Sequence, residues 1–430
     1  MNYNTITYFY EIRRYDIIFF TMKVWIKYLF AAIFGIICAL ILPVNNPAVA
    51  AAINFLTEIV IRFGRYMVIP VIFFTGIIAF NRLRENHLLI KTAVWTGSVI
   101  AVSSLILTAV GLISILVVKL PRIPITVENV TEATSLNVEK LFRALFPYSA
   151  FETLNNGTFI FSAYFFALLI GCASTSDAVL FRPITTLADS LSKLMYNIGI
   201  IFTEFLAYGM VAILCYWTVQ FKAIILSGVF TPMIIMFLVD LVLVAGVIYP
   251  LIIRYLCHDP HPYRILYASL CSLIASFFSG DSNFALLINI RHGKESLGIR
   301  RRINGAVHPI FTIFARGGSA LVTTVGFIMI WRSYSSLPIP IIDILWILFT
   351  SFGISFLLGG FPAGGAFISL TVLCTLYSKG FETGFLLLKP AAPIICSFAA
   401  AFDALTAMFG TYIVAVKTKL IEHHGINHFI

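Results

Sequence analysis

The stretch that decides the fold is residues 264–290, RILYASLCSLIASFFSGDSNFALLINI. Apolar residues fill both of its ends, but its centre, Ser279-Gly280-Asp281-Ser282-Asn283, is polar. Irregular polar backbone lies at membrane depth only where protein or a water-filled cavity supplies its hydrogen bonds. The pattern therefore predicts a re-entrant helical hairpin that enters the membrane and returns, with its tip lining a site.

A second broken apolar segment covers residues 340–378. Its centre is Gly359-Gly360-Phe361-Pro362-Ala363-Gly364-Gly365, and glycine and proline both interrupt helices. A simple tight turn would also explain this composition. Because a polar tip is predicted from the opposite side of the membrane, we expect a second re-entrant hairpin here.

The composition of the whole chain is that of a membrane protein. Of its 430 residues, 60% are apolar or aromatic and 11% are charged, whereas soluble domains carry about 25% charged residues. This composition excludes a disordered chain, a nucleic-acid binder and a cytosolic enzyme, and it makes the lipid bilayer the expected partner. The seven cysteines occur singly and are interpreted as small core residues.

Eight apolar stretches approach the roughly 20 residues that a membrane-crossing helix needs. They lie near 26–43, 52–80, 90–118, 158–175, 194–218, 225–256, 305–331 and 381–416. The predicted fold is an all-α integral membrane protein with eight transmembrane helices and two oppositely oriented re-entrant hairpins.

The basic residues predict the orientation, because short cytoplasmic loops collect Lys and Arg. Their distribution places both termini and the 264–290 hairpin on the cytoplasmic side of the cytoplasmic membrane, and the 340–378 hairpin on the outer side. Residues 1–22 are interpreted as an N-terminal extension, with either Met1 or Met22 as the true start. Ala48-Val49-Ala50 resembles a signal cleavage site, but the run before it continues into a span, so a retained helix is favoured.

Four ionisable residues of interest stand inside predicted membrane segments, where each costs at least ~2.5 kcal/mol. They are Asp240, Asp281, Arg316 and Asp403. For Asp240, among Val, Leu and Phe, we expect a structural contact to another helix. Arg316 precedes a Gly-Gly pair that favours local unwinding. It is a fixed charge of a binding site, a structural partner of a buried carboxylate, or both if it bridges Asp281 and Asp403.

Three further charged residues, Glu58, Arg62 and Arg65, flank the second predicted span in helical register. Residues three or four positions apart share one face of a helix. We expect this face to be a packed or interfacial one.

The sequence lacks the GxSxG, Walker A, GxGxxG, HExxH and CxxC patterns of common catalytic, nucleotide and metal sites. We therefore predict a protein that is not an enzyme and has no cofactor. A secondary active transporter is the leading interpretation. The alternative is a channel-like or substrate-sensing membrane protein that has lost cation coupling.

Four segments carry a family resemblance: the basic-then-Met-x-x-Pro helix 59–74, the segment 151–171, the glycine-proline tip 360–366 and the end of the last helix, 410–415. In them the chain resembles the dicarboxylate/amino acid:cation symporter family, the glutamate-transporter homologues. The resemblance implies a homotrimeric, elevator-type transporter of an amino acid or carboxylate. It implies scaffold and oligomerisation helices in residues 23–257, with span 3 moving with the core, and a transport core in residues 258–430.

The resemblance, together with the polar hairpin tips, also predicts the residues that contact the solute. They are Asp281, Ser282, Asn283, Arg316, Gly318, Ser319, Phe361, Pro362, Ala363, Gly364 and Asp403. Ser319 and Asp403 are in addition the expected cation or proton site.

The chain departs from the family at ion and substrate positions. The family's Asn-Met-Asp-Gly-Thr motif falls on residues 315–319, its substrate-binding arginine and aspartate fall on Ala399 and Cys396, and a sodium-binding aspartate falls on Ala407. We hypothesise that Arg316 supplies the positive charge of a sodium ion, so that transport depends less on sodium or is coupled to protons through Asp281 or Asp403. The coupling ion, Na⁺ or H⁺, and the solute stay open.

Overall fold

A computed structural model describes residues 23–43, 46–124, 139, 143, 146–155, 160–177, 179–335, 338–360, 365–422 and 429. Within these residues every regular element is a helix. The expected extension, residues 1–22, and the predicted tip residues of the second hairpin, Phe361, Pro362, Ala363 and Gly364, lie outside the described residues.

The first part of the chain forms long apolar helices. They are α1 (Val24–Ile41), α2 (Pro47–Tyr66), α3 (Val68–Glu85), α4 (Leu89–Val117), the short α5 (Ala150–Asn155), α6 (Ile160–Ala173), α7 (Arg182–Leu226) and α8 (Thr231–Leu243). Beyond α8 the chain stays helical to Cys257 and includes two π-helical turns, Val244–Ile248 and Ile253–Cys257.

The second part of the chain has shorter helices joined by breaks. They are α9 (Tyr263–Ser279), α10 (Leu286–Glu295), α11 (Arg301–Phe314), α12 (Gly317–Tyr334), α13 (Ile341–Leu357), α14 (Gly365–Tyr377) and α15 (Ala392–Lys417). Gly280 ends α9 in the left-handed conformation, φ +64°, which glycine adopts without steric cost. The predicted polar centre is therefore the turn between α9 and α10.

Helix packing forms two groups that meet at several helices, since α3 also contacts α11 and α8 contacts α4 and α15. α1 and α2 pack on α7, and α3 packs on α6 and α7. α12 packs on α14 and α15, and α15 also packs on α9 and α11. α4 comes early in the chain but packs mainly on α12 and α15, so it belongs spatially with the second group.

Burial differs sharply between these groups. In the segment Arg301–Tyr334, 94% of the most apolar stretch is buried, against 44% in Arg182–Leu226. Large apolar side chains of α1 and α7, such as Phe34 and Phe205, are exposed. Because exposed apolar side chains at this density cannot face water, the early helices present the surface for lipid or for another subunit.

The prediction of an all-helical membrane protein is confirmed, since seven segments of the described chain are long and apolar enough to cross a membrane. The predicted span 158–175 appears as Ile160–Ala173, whose 14 residues fall short of that length. The predicted span 52–80 is divided at Met67 into α2 and α3. The number of crossings and the re-entrant character of the hairpins stay predictions.

Candidate functional site

A break in the most buried helix pair positions the candidate site. α11 ends at Phe314 and α12 begins at Gly317, with Ala315 and Arg316 in non-helical conformations (ψ 61° and 32°). Unwinding was expected around the Gly-Gly pair, but the break precedes it and both glycines start the new helix. A Cβ added to Gly318 would stand 2.3 Å from Cβ of Phe402. Glycine is therefore required for α12 to approach α15 this closely.

The carboxylate of Asp403, on α15, binds the start of α12. Its Oδ1 accepts a hydrogen bond of 2.8 Å from the backbone N–H of Gly318, and its Oδ2 accepts one of 3.0 Å from Oγ of Ser319. Helix N-termini have N–H groups without intrahelical acceptors and a partial positive charge. Asp403 satisfies one such donor and places a negative charge at the helix start.

The guanidinium of Arg316 lies between two elements. Its Nη1 donates a 2.6 Å hydrogen bond to Oγ of Ser282, in the turn between α9 and α10, and lies 3.9 Å from Oδ2 of Asp403. Its Nε donates to the carbonyl of Ile313. Arg316, Ser282 and Asp403 are all buried. The structure thus brings together the predicted residues Ser282, Arg316, Gly318, Ser319 and Asp403.

Asp281 has a different partner from the one expected. The sequence suggested that Arg316 bridges Asp281 and Asp403, and this is wrong for Asp281, whose Oδ2 accepts a 2.8 Å ion-paired hydrogen bond from Nε of Arg65. Its Oδ1 accepts from the backbone N–H of Asn283. Asp281 has no exposed side-chain surface, while that of Arg65 is 35% exposed.

Arg65 is the residue that sequence reasoning missed. It lies in the last turn of α2, next to Arg62 in helical register, and both were expected on a packed or interfacial face. The side chain of Arg62 is 78% exposed and pairs with Glu58. The expected interfacial position therefore applies to Arg62. The only signal for Arg65 was an unpaired carboxylate, Asp281, elsewhere in the chain, and the sequence does not say which arginine reaches it.

Both ends of the second hairpin approach the broken helix. A Cβ added to Gly359 would stand 2.8 Å from Cγ2 of Ile313, at the end of α11. Oγ1 of Thr323 on α12 donates to the carbonyl of Ala366, at 3.2 Å. The chain before and after residues 361–364 therefore contacts the same helix pair that carries Arg316.

A cavity of about 630 Å³ lies beside this polar centre. Arg65 and Asn283 line it on one side, and Met195 and Ile160 line it on others. Asn283, a predicted site residue, is thus the member of the hairpin turn that borders open space. The cavity therefore borders the turn between α9 and α10 at Asn283.

A sequence model of one family, described as the sodium:dicarboxylate symporter family, matches residues 24–417. The chain belongs to the sodium:dicarboxylate symporter family. The resemblance noted in the sequence is thereby confirmed, and with it the broad class of membrane transporter. No curated protein matches the chain.

By the resemblance described above, the family's Asn-Met-Asp-Gly-Thr motif falls on residues 315–319, which include the helix break. In this register Ala315 stands where the motif has its asparagine, Arg316 where it has its methionine and Gly317 where it has its aspartate. The remaining oxygens, those of Ser319 and Asp403, hydrogen-bond to each other. The local chemistry is that of a paired cation and anion.

Asp240 lies away from this centre. Its Oδ1 accepts a 2.5 Å hydrogen bond from Oγ of Ser114 on α4. The predicted helix–helix contact is present, and it joins α8 to α4, the helix that packs with the second group.

Proposed function

We propose that the chain is a secondary active transporter that moves a small polar or anionic solute, an amino acid or a carboxylate, across the cytoplasmic membrane. Family membership supports the transporter class. One observation supports the site: a buried guanidinium, that of Arg316, stands where the hairpin turn, the broken helix and α15 meet. Charged groups at membrane depth are costly and mark solute or ion pathways.

The solute class follows from the charges at this centre. Arg65 and Arg316 balance Asp281 and Asp403, so the centre is neutral before a solute enters. The contact between Arg316 and Asp403 is long, 3.9 Å. A solute carboxylate that forms a bidentate pair with the guanidinium makes a stronger contact than this one, while the amide of Asn283 offers a second polar group on the cavity side.

The proposed mechanism is an elevator-type movement. Residues 258–430, together with α4, form the moving core, and the other helices of residues 23–257 form the scaffold. The packing of α4 on α12 and α15 supports this division. Eight crossings, two oppositely oriented re-entrant hairpins, cytoplasmic termini and a homotrimer belong to the same proposal.

For coupling, we propose that Arg316 takes the electrostatic role of a bound sodium ion. The guanidinium lies next to a carboxylate oxygen and a hydroxyl oxygen, which are ligands that a hard cation prefers. Transport would then depend less on sodium, or a proton carried by Asp281 or Asp403 would be the coupling ion.

Uptake into proteoliposomes tests both the proposed transport activity and the proposed role of Arg316. Purified protein is reconstituted, and uptake of labelled succinate, L-aspartate and lactate is measured with a sodium gradient, a proton gradient or neither. We expect saturable uptake of at least one probe without sodium, at least tenfold slower in Arg316→Met and near normal in Arg62→Gln. Conductance that is linear in concentration would contradict a carrier, and strict sodium dependence retained in Arg316→Met would contradict the role of Arg316.

A further inference from the structure

A second cavity has an excess of basic residues in its lining. Its volume is about 500 Å³, and it lies where the end of α3, the first turns of α7 and the start of α11 meet. Five basic residues line it against two acidic ones, Glu85 and Asp189. The basic residues are Arg82, Lys193, Arg300, Arg301 and Arg302. We name this site the basic cavity.

Internal contacts neutralise only part of this charge. Asp189 pairs with Lys193 at 2.7 Å and with Arg301 at 3.5 Å. Arg300 pairs with Glu422 at 3.1 Å. Within the described part of the chain, Arg82 and Arg302 form no ion pair. Two guanidinium groups of the basic cavity therefore lack a direct ion pair among the described residues, although Asp189 also interacts electrostatically with Arg82.

The backbone adds to the positive potential. α11 begins at Arg301, its N-cap is Arg300 without a side-chain cap, and its first turn contains no acidic residue. The N-terminus of a helix carries a partial positive charge. The three consecutive arginines at this N-terminus are therefore repelled by that charge and by one another. An anion in the basic cavity would remove this repulsion, because it would meet the helix start and the guanidinium groups together.

The basic cavity is formed by the ends of helices, and this position is compatible with the surface of a membrane. α7 has 45 residues and is therefore ~68 Å long at 1.5 Å per residue, more than twice the ~30 Å of a bilayer's hydrocarbon core. Asp189 and Lys193 belong to the first four turns of α7, Arg82 to the last turn of α3 and Arg301 to the first turn of α11. Because charged side chains are costly in the hydrocarbon core, such charged helix ends fit the headgroup layer better.

We propose that the basic cavity binds a phosphate-bearing anion, either the headgroup of an anionic phospholipid or a soluble polyphosphate. Arginine side chains form bidentate hydrogen bonds with phosphate oxygens. Basic pockets between membrane helices at the headgroup level bind anionic lipids for the same reason. The anion would join α3 and α7 to the start of α11. This inference is independent of which solute the protein transports.

The test compares two lipids and one soluble anion. The protein is placed in nanodiscs of phosphatidylcholine, alone, with phosphatidylglycerol added, or with pyrophosphate in the buffer. The melting temperature and the bound lipid are measured, the latter by native mass spectrometry. The probe variant is Arg82→Gln with Arg302→Gln. The control is Arg84→Gln, which removes an exposed arginine from the same helix turn and costs only its hydrogen bond to the carbonyl of Cys172.

Phosphatidylglycerol is expected to raise the melting temperature of the wild type and of Arg84→Gln. In the double variant the apparent affinity should fall about 25-fold, or about fivefold per arginine. If pyrophosphate gives this variant-dependent shift and phosphatidylglycerol does not, the anion is a soluble polyphosphate.

The inference is overturned if the double variant responds to both probes as Arg84→Gln does, or if neither probe acts on the wild type. In phosphatidylcholine alone the double variant should melt near the wild type, since neither arginine is ion-paired within the described residues. Should it fail to fold, the single variants Arg82→Gln and Arg302→Gln replace it, each with an expected fivefold loss.

Discussion

The two arginine–aspartate contacts of the polar centre join different parts of the molecule. Arg316 and Asp403 both lie in the second group of helices, α9 to α15, and both are buried. Arg65 and Asp281 connect the end of α2 to the turn between α9 and α10, and Arg65 is partly exposed. We call the first the inner contact and the second the outer contact. The inner contact shapes the broken helix, whereas the outer contact holds two groups of helices together.

This difference has a mechanical consequence under the proposed elevator movement. A core that moves as a unit keeps the inner contact and must break the outer one. A second ionic connection has the same character, since Arg291 on α10 pairs with Glu204 on α7 at 2.7 Å, and Glu204 also pairs with Lys27 on α1. The outer contact and the Arg291–Glu204 pair therefore both contribute to the stability of one position of the core relative to the scaffold.

The largest effect is expected from Asp403→Ala, which breaks the inner contact. It leaves the guanidinium of Arg316 buried without its carboxylate and removes the acceptor for Gly318 and Ser319. Removing one partner of a buried ion pair costs ~3–5 kcal/mol, so the free energy of unfolding should fall by about that amount. Thermal unfolding in detergent measures it.

A double variant is the control for this prediction. Arg316→Met combined with Asp403→Ala removes both charges, so it should be more stable than Asp403→Ala alone. A single variant that melts at the wild-type temperature would show that the inner contact does not hold α12 in place.

Next in size is Gly318→Ala, which tests how tightly the inner region is packed. The added methyl would stand 2.3 Å from Cβ of Phe402 and 2.8 Å from Oδ1 of Asp403. Overpacking of a well-packed core costs ~1–3 kcal/mol, and we expect the melting temperature to fall accordingly.

Gly353→Ala is the matched control, because Gly353 is also helical but has no atom within 4 Å of its added Cβ. In a helix interior alanine is favoured over glycine by ~0.5–1 kcal/mol, so this variant should be neutral or slightly stabilised. Equal melting temperatures for the two variants would refute the close approach of α12 and α15.

A smaller effect is expected from Arg65→Gln, which breaks the outer contact. Because Arg65 is 35% exposed, water compensates part of the loss, and we expect ~1–2 kcal/mol, less than for a fully buried pair. The control, Arg62→Gln, removes an exposed pair worth ~0–1 kcal/mol. Chemical denaturation of both variants measures the difference. Equal stabilities would mean that the outer contact does not restrain the hairpin turn.

The sequence was sufficient for the inner contact and insufficient for the outer one. Arg316 and Asp403 could be predicted as neighbours because each is a rare charge at membrane depth, and such charges pair. Arg65 could not be separated from Arg62, since the two share one helix face and only tertiary packing decides which of them meets Asp281.

The helix break shows the same limit at finer scale. The Gly-Gly pair indicated a break, and the structure has one, but at Ala315 and Arg316 rather than at the glycines. The reason is tertiary: the glycines are needed where α12 contacts α15, and Asp403 stabilises helix there. Local helix propensity gave the approximate position of the break. Its final position depends on a hydrogen bond between Gly318 and Asp403, which are 85 residues apart in the sequence.

The smallest effect concerns an aspartate outside the membrane segments, Asp259, between Cys257 and the start of α9. Burial raises the pKa of its carboxyl, but hydrogen bonds from Tyr412 and the backbone of His261, with the charge of Arg264, outweigh burial and hold this pKa below its ordinary value. A lowered folded-state pKa stabilises the protein above the unfolded value of ~3.9, and this contribution disappears as pH falls through the folded value.

Melting temperatures from pH 6 to pH 3 should therefore fall more steeply below about pH 4 for the wild type than for Asp259→Asn, which cannot titrate there. Glu58→Gln is the control, since Glu58 is exposed at the protein surface and should leave the wild-type slope unchanged. Parallel curves for Asp259→Asn and the wild type would mean that this carboxylate does not link α9 to α15.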